Sequence, residues 1–153
     1  MQERIPYAKV APDVYRTMLG VHHYLEGSGL EKTLLDLVYL RVSQMNGCAY
    51  CVDMHWKDLR AAGEPEQKLY MLTAWREWHG YSERERAALA WAEAVTRLTD
   101  GDVPDAVFEF ARSQFSDVEL AKLTLAVAAI NSWNRLNIAF RREAGGYQPR
   151  AAV

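Results

Sequence analysis

LRVSQMNGCAYCVDMHWKDLRAAGE, the run from Leu40 to Glu64, decides how this chain folds. Asn46-Gly47 breaks it into two helical segments, and Gly63 ends the second. Upstream of the break, Leu34, Leu35, Leu37, Val38 and Val42 place apolar residues on most sides of a helix from about Leu30 to Met45. Such a helix belongs in the centre of a fold or of an oligomer. Downstream, a helix begins near Cys48. Two helices joined at so short a break should fold back as an antiparallel hairpin.

Working outward, nearly every other segment also reads as helix. Pro12-Asp13 opens one that runs through Val14, Met18 and Val21 to Leu25, where Gly27-Ser28-Gly29 stops it. Pro65 starts a short helix through Leu69 and Leu72. Ser82-Glu83-Arg84-Glu85 is a capping-box pattern ahead of an Ala-rich run to about Leu98. Pro104 opens a short helix ending near Gln114, and a second capping box, Ser116 to Glu119, precedes a long helix expected to reach Arg142. The tail from Gly145 lacks periodicity and reads as loose or as an oligomer arm. No alternating strand pattern occurs, so the fold class is all-α, with one domain over residues 1–153.

Composition narrows the function. Half of the 153 residues are hydrophobic and a quarter charged, enough apolar material for one core. The net charge is −2 with no Lys/Arg cluster, which argues against nucleic acid as a partner. The most apolar stretch, Leu120 to Ile130, is short and carries Lys122, which argues against a membrane span. The N-terminal residues contain no apolar run of the signal-peptide kind, and the expected location is cytoplasmic. Cys48 and Cys51 are the only cysteines, too few for a disulfide scaffold. In a reducing compartment an isolated pair this close reads as catalytic or metal-binding.

On a helix advancing ~100° per residue, Cys48, Cys51 and His55 share one face. The cysteines fall in the opening turn, where free backbone N–H groups and the positive end of the helix dipole favour a thiolate. Their spacing also permits a disulfide. Cys51, one turn from His55, suits the attacking thiolate, and Cys48 at the helix mouth suits the resolving thiol. Asp36 should orient the imidazole, because the hairpin brings it within a turn of His55 and a carboxylate among leucines needs a buried partner.

These residues carry a resemblance. The run Leu40 to Glu64 looks like the core motif of the alkylhydroperoxidase-D-like branch of the carboxymuconolactone decarboxylase superfamily, and INSWNRLNIAFR, Ile130 to Arg141, is similar to its recurrent C-terminal helix. The resemblance implies an all-helical subunit assembling as a homo-oligomer, trimer or hexamer. It implies a peroxidase acting on a hydroperoxide substrate, with Cys51 peroxidatic, Cys48 resolving and His55 in a proton relay. A dithiol or lipoyl-type reductant would restore the pair, and no cofactor is called for. Two positions depart from the pattern. Asp36 stands where the family usually has glutamate, so a reach to His55 through water is expected, and Tyr50 stands where the best-known member has histidine.

Competing readings follow from the same residues. A helical CxxC with His55 and Asp36 could be a zinc site, though no second Cys/His pair accompanies it. Acid–base decarboxylase or lactone chemistry from His55 on the same fold is a second alternative, against which the cysteine pair argues. A non-enzymatic metal-binding or assembly module is a third. His22 and His23 point apart on their helix and read as structural or as pocket lining. Trp75, Trp78, Trp91 and Trp133 read as core or interface residues, and Asn134 and Arg135 as a structural polar network or subunit contact.

Overall fold

The computed structural model describes residues 2–98 and 101–149, and the helical reading holds throughout them. The elements are α1 (Tyr7–Val10), α2 (Pro12–Glu26), α3 (Lys32–Asn46), α4 (Ala49–Ala61), α5 (Glu66–Tyr70) with a 3-10 turn at Met71–Ala74, α6 (Glu83–Thr96), α7 (Asp105–Gln114) and α8 (Asp117–Ala139). Both capping boxes form. Ser82 accepts from the Glu85 N–H at 3.2 Å while Glu85 accepts from the Ser82 N–H at 2.9 Å. The Ser116/Glu119 pair repeats this at 3.3 and 2.9 Å. Helix α8 ends earlier than its sequence pattern suggests, because Arg141 takes a left-handed φ of 55° just past the cap at Phe140.

Helix α3 is the axis of the fold and packs on α4, α6 and α8. One side, with Leu34, Leu35, Val38 and Val42, meets Ala88, Trp91 and Ala92 of α6 and Leu123, Val127 and Ile130 of α8. The other, with Leu37 and Leu40, meets Leu59 of α4 and then Leu69, Leu72, Trp75 and Leu89. Burial of each large aliphatic side chain contributes roughly 1.5–3 kcal/mol. The apolar girdle of α3 is therefore covered within one chain and calls for no second copy. Of the two places its sequence allows, the helix occupies the centre of the fold.

One buried charge holds the second cluster in place. Glu93, 5% exposed, accepts from Arg41 Nε at 2.6 Å and Trp75 Nε1 at 2.9 Å, and pairs with Arg76 Nη1 at 2.7 Å. Burial resists its ionisation, but these three donors outweigh it and hold the carboxyl below its usual range. The unfolded chain therefore takes up this proton first. The stabilisation is complete above the unfolded carboxylate range, pH ~4–5, and is lost as pH falls through the lower folded value. Glu93→Gln keeps the shape and removes the charge, so it should cost about 2 kcal/mol at neutral pH and much less in acid. Urea denaturation of both proteins at pH 7 and pH 3 measures this, and an equal loss at both would refute it.

Candidate active site

The site begins at a glycine. Gly47 caps α3 with φ 71°, a conformation a Cβ would strain, and donates its N–H to the Gln44 carbonyl at 3.3 Å. The Cys48 N–H then donates to the Ser43 carbonyl at 3.0 Å. This reversal makes Cys48 the N-cap of α4, and its Sγ accepts from the Cys51 N–H at 3.4 Å. The two cysteines are joined as a disulfide with Cα atoms 5.4 Å apart, each only 1% exposed. The redox-capable pair thus sits in the first turn of α4, where N–H groups without an intrahelical partner and the positive end of the helix dipole favour a sulfur that can become anionic.

The hairpin brings Asp36 to His55. Asp36 Oδ1 lies 3.5 Å from His55 Nδ1 without an intervening residue, so the carboxylate reaches the ring directly rather than only through water. That contact is not an aligned hydrogen bond, for neither ring nitrogen of His55 has a hydrogen-bond partner. The other oxygen, Oδ2, accepts from Lys32 Nζ at 2.5 Å. Burial works against ionising Asp36, but His55 and Lys32 outweigh it and keep the carboxyl below its ordinary range. The Tyr39 ring closes the other side of His55, with centroids 5.1 Å apart. Donor atoms of Asp36, His55 and Asp58 lie within 4.8 Å of one another, a spacing fit for a cation. Lys32 already engages Asp36, and the Tyr147 hydroxyl donates to Asp58 Oδ1 at 2.7 Å.

A further group at the sulfur has no counterpart in the sequence analysis. Asn137 of α8, buried, donates from Nδ2 to Cys51 Sγ at 3.3 Å and accepts from the Tyr7 hydroxyl at 2.9 Å. Residues 86 and 130 positions apart meet here, and no local spacing could have announced it.

Beside the pair lies a cavity of ≈ 610 Å³. Cys51, His55, Asp36 and Asn137 all line it, whereas Cys48 does not. Its apolar wall comes from Tyr15, Leu19, Tyr39, Met54, Ile130 and Trp133. The C-terminal tail forms another wall and is not loose within the described residues. The Gly145 N–H donates to Asp53 Oδ2 at 3.1 Å, and Lys57 Nζ donates to the Gly145 and Tyr147 carbonyls at 3.1 and 3.0 Å. These contacts seat Tyr147, Gln148 and Pro149 against the opening. His22 and His23 also line it. Asn134 is structural: it accepts from Asn46 Nδ2 at 2.8 Å and donates to Ser43 Oγ at 3.0 Å, pinning α8 to the hairpin. Trp75 and Trp91 are core residues.

Known proteins share this architecture. The uncharacterised protein YdfG of Bacillus subtilis is 40% identical over 144 residues, which cover 94% of this chain and 98% of that protein. A crystal structure from Agrobacterium tumefaciens, a protein of unknown function provisionally linked to antioxidant defence as AhpD, superposes with a TM-score of 0.92 at 42% identity, covering 95% of this chain and all of that one. An alkylhydroperoxidase AhpD core structure from Ralstonia eutropha, itself an uncharacterised peroxidase-related protein, shares the fold with a TM-score of 0.80 at 23% identity over 91% of this chain and 74% of its own. The model of the carboxymuconolactone decarboxylase family matches residues 12–94, the segment that holds the hairpin, the cysteine pair and the Asp36–His55 contact. On these likenesses the chain belongs to the carboxymuconolactone decarboxylase family, in its AhpD-like branch.

Proposed function

We propose that this chain is a thiol-dependent hydroperoxide reductase serving antioxidant defence in the cytoplasm. The observation that carries the proposal is the placement of Cys51: its sulfur borders the cavity, is joined to Cys48 in the same helical turn, and shares that cavity with His55 and Asp36. The Cys51 thiolate attacks the terminal oxygen of ROOH. The O–O bond breaks, the sulfur becomes a sulfenic acid, and ROH leaves after taking a proton through His55. Cys48 then displaces hydroxide from the sulfenic sulfur, giving the disulfide and water. A dithiol of the lipoyl kind reduces the disulfide by exchange and is itself oxidised to a disulfide.

The cavity wall bears on the substrate. A space of ≈ 610 Å³ faced with aromatic and aliphatic side chains suits a hydroperoxide on an organic body better than hydrogen peroxide. The exposed apolar residues Val118 and Leu125 of α8, with Ile138 near its end, suit contact with further copies in a trimer or hexamer.

The test is peroxide consumption by the purified protein with dihydrolipoamide as reductant. Turnover should require both peroxide and dithiol, and kcat/KM for cumene hydroperoxide should exceed that for hydrogen peroxide by about tenfold. An absence of turnover at saturating dithiol would sink the proposal. Equal kcat/KM values would sink only its substrate preference.

A further inference from the structure

The amide of Asn137 has one orientation that satisfies its neighbours. The Arg142 guanidinium lies near enough to the Tyr7 hydroxyl to act on it as a positive charge. The Tyr7 hydroxyl donates its proton to Asn137 Oδ1 at 2.9 Å. With its carbonyl end so occupied, Asn137 turns its NH2 group toward Cys51 Sγ at 3.3 Å. The reverse orientation would set an oxygen lone pair against a sulfur that must become anionic. The donors thus run one way, from Tyr7 through Asn137 to the sulfur. His55 does not compete for that position, since both of its nitrogens are without hydrogen-bond partners.

Resting on the assignment of Cys51 as the attacking sulfur, we propose that Asn137 is a catalytic residue that holds Cys51 as its thiolate, with Tyr7 positioning it. The duties at the sulfur are then divided. Asn137 supplies an oriented donor to the negative charge at a sulfur only 1% exposed, where a preformed dipole counts for more than it would in solvent. His55 is left to move the proton. A hydrogen bond to a charged acceptor is among the stronger kinds, and Asn137 reaches the reacting atom without adding a charge of its own.

The thiol itself gives the readout. In a Cys48→Ser background Cys51 is the one thiol in the chain, and its iodoacetamide alkylation rate against pH reports the thiolate fraction. Asn137→Leu, similar in volume and without a donor, should slow alkylation below the midpoint about tenfold, the loss expected of a charged hydrogen bond. Tyr7→Phe removes only the orienting hydroxyl and keeps the ring packed on Tyr15 and Phe140, so it should act in the same direction by about threefold. His55, Asp36, Asp58, Lys32, Tyr50 and Arg142, which line the same cavity, remain in both variants, as do the titratable groups farther along its wall, His22, His23, Glu26, Tyr39 and Tyr147. Unchanged alkylation profiles alongside lowered melting temperatures would reduce Asn137 to a packing residue and overturn the proposal. Should Asn137→Leu fail to fold, Tyr7→Phe decides alone. Because the assay needs no peroxide, a shifted thiol in a protein that consumes none would count against the peroxidase proposal and not against this one.

Discussion

Cys51→Ser is expected to abolish peroxide consumption altogether, while Cys48→Ser should complete one turnover and stop. The asymmetry follows from where the sulfurs lie. Cys51 borders the cavity together with His55 and accepts the Asn137 hydrogen bond, whereas Cys48 is buried at the N-cap of α4 and does not line that space. A peroxide entering the cavity therefore meets Cys51. Serine there offers an alcohol with a pKa far above that of a thiol, so its nucleophile is essentially absent at neutral pH. Without Cys48 the sulfenic acid still forms on Cys51 but has no thiol to condense with. Mass spectrometry after stoichiometric peroxide should find that species, or its adduct with a dimedone-type trap, in Cys48→Ser and not in Cys51→Ser. Loss of the first turnover to the same degree in both variants would mean that the roles are reversed or shared.

How much of this site the sequence discloses depends on the range of the interactions. The cysteine turn is local: an Asn-Gly break, a glycine that accepts φ 71° and a three-residue spacing suffice to place both thiols at a helix start. The Asp36–His55 contact is one step less local. It is legible because a tight hairpin makes sequence distance from the break a measure of spatial distance. Beyond that the code fails for physical reasons. Asn137 is one polar residue near the end of a largely apolar helix, and its meaning comes from Tyr7 and Cys51, distant in sequence and brought together only by the packing of α1 and α4 around α8. The tail is fixed by backbone groups that pair with Asp53 and Lys57, and backbone pairing leaves no hydrophobic period to read. The apolar girdle of α3 is legible as buried, but its pattern cannot distinguish burial by α4, α6 and α8 from burial by another subunit.

Asp36→Asn should slow the peroxide-dependent step by ~10²-fold or more, within the span that general acid–base groups contribute. Asp36 faces His55 at 3.5 Å and, held ionised by His55 and Lys32 despite its burial, supplies a negative charge throughout the neutral range. In the proposed relay that charge would stabilise the imidazolium formed when His55 takes a proton and would orient a ring whose nitrogens have no hydrogen-bond partner. Asparagine removes the charge while keeping the shape. His55→Asn should cost at least as much. If the two act as one unit, the double variant should lose far less than the product of the single losses. Asp36→Glu should keep most of the rate, because the added methylene can extend into the cavity that Asp36 lines. Lys32 is the necessary control, for Asp36→Asn also frees its ammonium from Oδ2. Lys32→Met leaves the carboxylate beside His55 and should slow the reaction much less than Asp36→Asn. Stopped-flow measurement of the first turnover across pH separates these cases. Were the Asp36→Asn and His55→Asn losses to multiply in the double variant, the two residues would act independently, and the group that positions His55 would have to be sought elsewhere on the cavity wall, with Asp58 the first candidate.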